Sequence, residues 1–415
     1  VTTTPAESQA LLHTLGSERI VTHFQPILSA RQKSVIGLEA LSRGAVSGAS
    51  VMAANTLFEI AEAAGVGADL DALCRRQAVQ TFSVLTNRPD DILLFLNLHV
   101  PDGVAATRIA SDLSMLVASA GLNPATIALE ILEAEITDLD QLRTLVDLLR
   151  GAGFLIALDD VGVGHSNLDR IPIIKPDLLK IDRALISRID SDYHKRGAVK
   201  SLVDLSRKIG ALVVAEGVET EAEALVSLEL GADLLQGYLL GKPRAHESMH
   251  GEGIAHVMSA IERLARRFRD HMVGKITERR LQHRQFSVVM NQILCDLTTA
   301  DVDQFDAILE QTIARYPQVE CAYVLDHLGV QVTNTVCHPG MRVRNNGALF
   351  HPAPKGADHS LKEYYYVLLD VELHRYTTDP YVSLASGSVS RTVSTYFRGA
   401  QSSRMYVLCI DVLSD

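Results

Sequence analysis

The chain contains no tryptophan, and aromatic residues make up only 5% of its 415 positions. It has no run of about 18 consecutive apolar residues, so it offers no candidate membrane-crossing helix. No signal-peptide pattern opens it, although Val1 need not be the natural start and a sensory or membrane segment could precede it. Cysteine is scarce: Cys74, Cys295, Cys321, Cys337 and Cys409 are odd in number and form no Cys-x-x-Cys pair. They read as reduced thiols of a cytoplasmic protein, neither a disulfide framework nor a zinc site. Positive charge is also short, with a formal net charge of -11. That excludes a polymeric nucleic-acid binder working by broad electrostatics and leaves room for a small phosphate-bearing ligand. Finally, no glycine-rich dinucleotide turn follows the first strand-like run.

What is present is the composition of a globular protein, 47% hydrophobic and 21% charged, with length enough for two or three domains. Short apolar runs near residues 24, 37, 95, 128, 156, 179, 213 and 235 predict eight strands. Helical spacing separates most of them, as in the stretch from Leu57 to Phe82 and in Leu139 to Arg150. Strands buried on both faces and alternating with helices over roughly 240 residues predict a closed β/α barrel, with an open doubly wound sheet as the alternative. The first connection is too short for a helical crossover, so the first two strands should run antiparallel. A short helix is expected around Ala6 to Leu15.

From Glu252 to about Ile293 apolar residues recur every three or four positions, among them Val257, Ile261, Leu264, Phe268, Met272 and Ile276. Between Ala260 and Arg284, eight Lys and Arg stand against three acids. This reads as a linking helix with a solvated arginine face; pairing with a second copy is an addition to that reading, and membrane-surface binding is a third. After residue 300 a helix from Asp303 to Tyr316 precedes β-type segments at 321–326, 330–333, 364–369, 381–384, 391–396 and 405–410. Together they predict an α+β sensor-type unit of about 120 residues. The expected domains are therefore 1–250, a linker region 251–300, and 301–415.

The chemistry concentrates at strand ends. Asp159 and Asp160 follow the apolar run Phe154 to Leu158 and precede a loop, Val161-Gly162-Val163-Gly164-His165-Ser166-Asn167. Neighbouring strand residues point to opposite faces, so these two acids converge only if the backbone bends, and the glycines after them permit a bend. The plainer reading is the start of an Asx-type turn. Other strand ends, however, carry Glu39, Asn97, Glu130, Lys180, Glu216 and Gln236. In a β/α barrel these share one mouth. Five carboxylates there repel one another unless a cation sits between them, and an oxygen-rich, cysteine-free set suits Mg²⁺ or Mn²⁺. Two such ions suggest phosphoester hydrolysis. An aldolase or lyase using Lys180 is the rival, but crowding carboxylates raise the pKa that such a lysine needs lowered.

Glu39-Ala40-Leu41-Ser42-Arg43 resembles the signature of the EAL domains, bacterial phosphodiesterases acting on cyclic di-GMP. The resemblance covers roughly residues 18 to 248. It continues through Asn97-Leu98, Glu130-Ile131-Leu132-Glu133, Asp159-Asp160-Val161-Gly162, Lys180-Ile181-Asp182-Arg183, Glu216-Gly217-Val218-Glu219, Gln236-Gly237-Tyr238-Leu239 and Lys242-Pro243. It implies a modified TIM (β/α)8 barrel with an antiparallel strand and two divalent cations, Mg²⁺ or Mn²⁺. Glu39, Asn97, Glu130, Asp159, Asp160 and Glu216 would serve as metal-site residues, with Lys180 orienting the attacking water alongside Glu39, Asp159 and Glu216 as catalytic residues. The resemblance also implies substrate contacts from Gln25, Leu41, Arg43, Asp182, Gln236 and Pro243, and a loop-steadying role for Glu219. The product would be linear pGpG.

The loop 161–167 departs from the family's usual Phe-Gly-Thr-Gly-Tyr-Ser-Ser, and Leu132 replaces a threonine. The C-terminal unit more loosely resembles a PAS-like or Cache-like module. It implies regulation through a small ligand or a homodimer rearrangement. The alternatives are a weak or inactive cyclic di-GMP receptor signalling through the linking helix, and a scaffold.

Overall fold

In a computed structural model of the chain, the strand-like runs close on one another. The structure describes residues 20–45, 51–52, 54–85, 89, 91–100, 104–132, 138–162, 170–246, 252–341, 351–370, 373–400 and 404–413. The helix expected around Ala6 to Leu15 lies outside them. The chain divides into two compact units, Val1–Gly274 and Lys275–Asp415.

The first unit is built on β1 (Ile20–Ser29), β2 (Ser34–Ala45), β4 (Leu93–Leu98), β5 (Ile127–Leu132), β6 (Leu155–Val161), β7 (Leu178–Ile181), β8 (Leu212–Ala215) and β9 (Leu234–Leu235). Strands β2 and β4 to β9 pair in parallel in that order, and β1 closes the ring antiparallel to both β2 and β9. The short β3 (Val51–Met52) and β10 (Arg244–Ala245) add antiparallel edges. The architecture is thus a mixed α/β barrel of the modified TIM type, with the antiparallel first pair expected from its short connection. The sequence reading Leu57 to Phe82 resolves into two helices, α1 (Ala54–Ala63) and α2 (Gly67–Ser83), divided where Gly65 turns left-handed at φ 71°.

Strand alternation divides the apolar residues into two layers. One residue from each of β1 and β4 to β9 fills the barrel's inner layer: Ile27, Phe95, Ala128, Ala157, Leu178, Val214 and Leu234. Their neighbours Leu94, Leu96, Leu129, Ile156, Leu158, Leu179 and Val213 face outward onto the helical shell. That shell comprises α3 (Ala106–Ser119), α4 (Leu139–Gly151), the single turns α5 (Ile171–Ile174) and α6 (Arg183–Ile186), α7 (Tyr193–Ile209) and α8 (Glu221–Leu230). Their ends follow ordinary capping chemistry. Asp192 accepts from the backbone of His194 and Lys195 at the start of α7, and Thr220 with Glu223 forms a reciprocal box at the start of α8.

Helix α9 (Glu252–Thr298) begins on the barrel, where Val257, Ile261 and Leu264 join the outer core. Arg267 and His271 reach Glu221 and Glu229 at 3.2 and 2.9 Å.

In the second unit, five strands lie in the order β12 (Val336–Cys337), β11 (Val319–Leu325), β16 (Met405–Leu413), β15 (Val389–Arg398), β13 (Arg375–Thr377), and β14 (Tyr381–Val382) also pairs with β15. Helix α10 (Phe305–Ile313) and the end of α9 cover one face. Three expectations are corrected here. The run 364–369 lies in a helix, α11 (Glu363–Asp370), because Tyr365 and Leu368 are buried three apart while Tyr366 faces solvent. The run 330–333 makes only isolated bridges, Leu325 to Gln331 and Val330 to Asp358. Cys321 and Cys337 are joined as a disulfide, brought opposite each other by the register of β11 and β12. Free thiols among the described residues are Cys74, Cys295 and Cys409.

Candidate active site

Two residues beyond each inner-layer position, on the same face of the strand, the barrel opens. Ala128 leads to Glu130, Ala157 to Asp159, Leu178 to Lys180, Val214 to Glu216, Leu234 to Gln236 and Phe95 to Asn97. Gly37 leads likewise to Glu39, and on the reversed β1 Ile27 leads back to Gln25. The period of two therefore delivers the expected polar residues to one mouth.

At its centre is Lys180, whose side chain is 1% exposed. Its Nζ lies against Glu130, 2.6 Å from Glu216, 3.2 Å from Asp159 and 3.9 Å from Glu39. Burial favours the neutral amine, but Asp159, Glu130, Glu216 and Glu39 outweigh it and hold the ammonium pKa well above its ordinary value. The acids respond in kind. Burial pushes Glu130 far above the usual carboxylate range, with Lys180 opposing and Glu39, Asp159 and Glu216 reinforcing the rise. Burial, opposed by Lys180 and helped by Asp159 and Glu39, raises Glu216 to about 8. An ammonium thus meets part of the repulsion that the sequence alone assigned wholly to bound cations.

Asp159 and Asp160 do converge, by a different route from the one expected. Asp160 itself takes a left-handed backbone at φ 54°, and the β6–β7 register shifts between Leu158 and Val161. Aspartate tolerates that region better than most residues. Ligand oxygens of Asp159, Asp160 and Glu216 consequently lie within 4.8 Å of one another. Burial first, then Asp159 and Asp182, raise Asp160 to about 6. The loop 163–169 and Glu133 lie outside the described residues.

Around this cluster the amides orient the acids. Gln236 Nε2 donates to Glu39 and, at 3.3 Å, to Gln25 Oε1, while Gln25 Nε2 donates to the Gly241 carbonyl at 3.1 Å. Gln236 can sit there because Gly237 follows it: a Cβ on Gly237 would fall 2.0 Å from the Val218 carbonyl oxygen. Gly237→Ala is expected to destabilise the fold by about 1–3 kcal/mol through that overpacking, measurable by urea denaturation.

Not every expected residue joins the cluster. Arg43 is half-buried and donates to the Ser42 carbonyl beside it, at 2.8 Å. Asp182 caps α6 by accepting from Ala184 N at 2.6 Å, and Glu219 pairs with Arg183 at 2.9 Å. Pro243 is half-buried beyond β9, next to Lys242, whose Nζ stands 5.4 Å from the Tyr238 ring centroid.

A cleft of about 520 Å³ runs from Glu39, Asn97, Asp159 and Asp160 past Leu41 to Phe58, Asp71 and Arg75. The ion-paired Asp71 and Arg75 were not anticipated. Four residues apart on a helix, they look in sequence like any surface pair.

The mouth suits a divalent cation. Glu130 Oε2 accepts no hydrogen bond from a described residue, Glu130 Oε1 and Asp159 Oδ1 meet the Lys180 ammonium, and the donor set is all oxygen. The upward shift of Glu216 also fixes a sign. The ion-free fold holds that proton more tightly than the unfolded chain does, so the group's contribution to stability is complete below its ordinary 4.5 and is lost as pH rises through about 8. In chelator, the melting temperature should fall between pH 6 and 8.5, and Glu216→Gln should flatten that slope. An unchanged slope in the variant would contradict the assignment.

The EAL domain profile matches residues 8–243. MucR of Pseudomonas aeruginosa, described as a bifunctional diguanylate cyclase/cyclic di-GMP phosphodiesterase, is 30% identical over 59% of this chain and 36% of its own length. The chain therefore spans only about a third of that relative. The Bacillus subtilis YkuI protein, solved with cyclic di-GMP and calcium, superposes with a TM-score of 0.77 at 22% identity, covering 98% of this chain and 99% of that one. Klebsiella pneumoniae BlrP1, solved as a calcium/cyclic di-GMP complex, gives a TM-score of 0.50 at 30% identity over 56% of this chain and 58% of its own. No helix among the described residues is long and apolar enough to cross a membrane.

Proposed function

This chain belongs to the EAL domain family, and from that premise we propose that it hydrolyses cyclic di-GMP to linear pGpG. The observation that carries the reading is the buried cluster of Glu39, Glu130, Asp159 and Glu216 around one lysine, with Asp160 turned in beside it. Glu39, Asn97, Glu130 and Asp159 would hold one divalent cation, and Asp159 with Asp160 and Glu216 a second. Divalent cations bound there supply Lewis acidity, which makes a water nucleophilic near neutral pH and offsets charge on a phosphoryl group.

The chain's own groups do the rest. Lys180 keeps its proton, and its ammonium, 2.6 Å from Glu216, fixes that carboxylate and would orient the attacking water and offset charge developing on the phosphoryl group. Gln236 and Gln25 hold Glu39 in one orientation. Arg43, released from the Ser42 carbonyl, would give a phosphate paired charge-assisted hydrogen bonds. Leu41, lining the cleft, and Pro243 would lie against the nucleotide, and Asp182 beside the Asp160 carboxylate keeps that side of the mouth acidic. Glu219, through Arg183, would steady the loop after the paired acids. Water adds to one phosphodiester phosphorus and one P–O bond opens, so no covalent enzyme intermediate is needed.

The raised Lys180 pKa argues against Schiff-base chemistry at that amine. The second unit we read as a PAS-like regulatory module of a cytoplasmic homodimer that receives a small ligand.

The test incubates the 415-residue chain with cyclic di-GMP and Mn²⁺ or Mg²⁺ and separates the nucleotides by chromatography. Accumulation of pGpG that EDTA prevents supports hydrolysis. Saturable binding with intact ligand recovered would replace it with a receptor. Neither binding nor turnover would defeat both.

A further inference from the structure

In the second unit, three sulfurs share one face of the sheet. Cys321 and Tyr323 are two apart on β11 and so point the same way. Cys337 stands opposite Cys321, and Cys409 stands opposite Tyr323 on β16. Cys321 and Cys337 are bonded, 16 positions apart in sequence, and Cys409 is a free thiol.

We propose that the Cys321–Cys337 disulfide is a reducible site that takes a small thiol or dithiol as its reactant and acts as a redox latch on β12. Access is one-sided. Cys321 is 2% exposed and Cys409 is fully buried, whereas Cys337 is half-buried and is the end of the bond that solvent reaches. What the bond holds directly is a two-residue edge pairing. Strand β12 is two residues long and lies at the sheet edge. It is in register with β11 only at Cys321–Cys337 and Ala322–Val336, followed by His338 N donating to the Glu320 carbonyl at 2.9 Å. The chain leading into it is tied by Val332 N to the Val324 carbonyl, Asn334 N to Asp306 and Thr335 Oγ1 to the Ala353 carbonyl. So short an edge pairing is marginal in water by itself, and the covalent tie reinforces it at the Cys321–Cys337 position.

The chemistry balances. A thiolate of the reductant attacks Cys337 Sγ, the S–S bond breaks, and Cys321 leaves as a thiolate and takes a proton. The reductant's second thiol then displaces Cys337 from the mixed disulfide. Two electrons and two protons pass to the protein, and the reductant departs oxidised. Cys409 does not intervene. Burial, with Asp411 reinforcing and Tyr323 opposing, keeps its thiol far from ionisation, so opening depends on a thiol from outside. Reduction would unpair the outer edge of β11 at residues 321–322.

Alkylation of the full chain, purified without reductant and then denatured, should modify three cysteines, Cys74, Cys295 and Cys409. Prior dithiothreitol should raise that to all five. Hydrogen exchange on native protein should then quicken in 320–325 and 336–338 by roughly ten-fold or more after reduction. Cys337→Ser should show the fast exchange without reductant, and the Cys321→Ala/Cys337→Ala double variant should not respond to reductant at all. Five modified cysteines before reduction, or exchange in these segments indifferent to dithiothreitol, would overturn the proposal. The wild-type comparison decides even where a variant fails to fold.

Discussion

Lys180→Met should lose turnover of cyclic di-GMP by about 10²–10³-fold and, in chelator, unfold more easily by about 3–5 kcal/mol. The two losses have separate causes. Lys180 is the ammonium lying against Glu130 and within 3.9 Å of Glu39, Asp159 and Glu216. Removing it leaves buried carboxylates with no counter-charge. Methionine keeps much of the volume, so the loss is chiefly electrostatic. Added Mn²⁺ should restore most of the stability, because the same carboxylates bind it, but not the rate. Thermal melts and single-turnover assays with and without Mn²⁺ separate the two effects. A variant that is stable in chelator, or active within a few-fold of wild type, would show that the ammonium neither balances the cluster nor serves the reaction.

Asp159→Asn carries the second large effect, with opposite signs for fold and function. Asp159 contributes to the upward shifts of Glu130, Asp160 and Glu216, so its neutral isostere relieves repulsion in the ion-free protein. The melting temperature in chelator should hold or rise. Cation affinity and turnover should fall together, turnover by about 10³-fold or more, since the amide offers a weaker ligand at the position common to both proposed ion sites. Titration calorimetry with Mn²⁺ beside a rate assay reads both. Loss of rate with unchanged Mn²⁺ affinity would move Asp159 from ion ligand to another role. Such a trade between stability and activity is the ordinary cost of concentrating like charges.

Much of this site is legible in the sequence, and the reason is periodicity. A strand buried on both faces is a continuous apolar run, so a single polar residue at its end stands out: Glu130 after Ile127 to Leu129, or Lys180 after Leu178 and Leu179. Alternation then fixes which way that residue points. Where the backbone leaves the regular strand, the rule stops. Nothing in the pair Asp159-Asp160 says that Asp160 takes the left-handed turn itself, with a register shift beside it. Long-range pairing is equally silent. Asp71 and Arg75 enter the cleft only because α2 packs beside β2 and β4, and Cys321 meets Cys337 only through the register of two strands. The run Tyr364 to Leu369 is ambiguous because short apolar stretches fit either period. There the burial of Tyr365 and Leu368 on one helical face decides.

Hydrolysis in ¹⁸O-enriched water with Mn²⁺ tests the central account most directly. Direct attack of water at phosphorus predicts linear pGpG carrying one ¹⁸O on its terminal phosphate, formed by wild type and not by Asp159→Asn. Cyclic di-GMP recovered intact, or pGpG without the label, would contradict it.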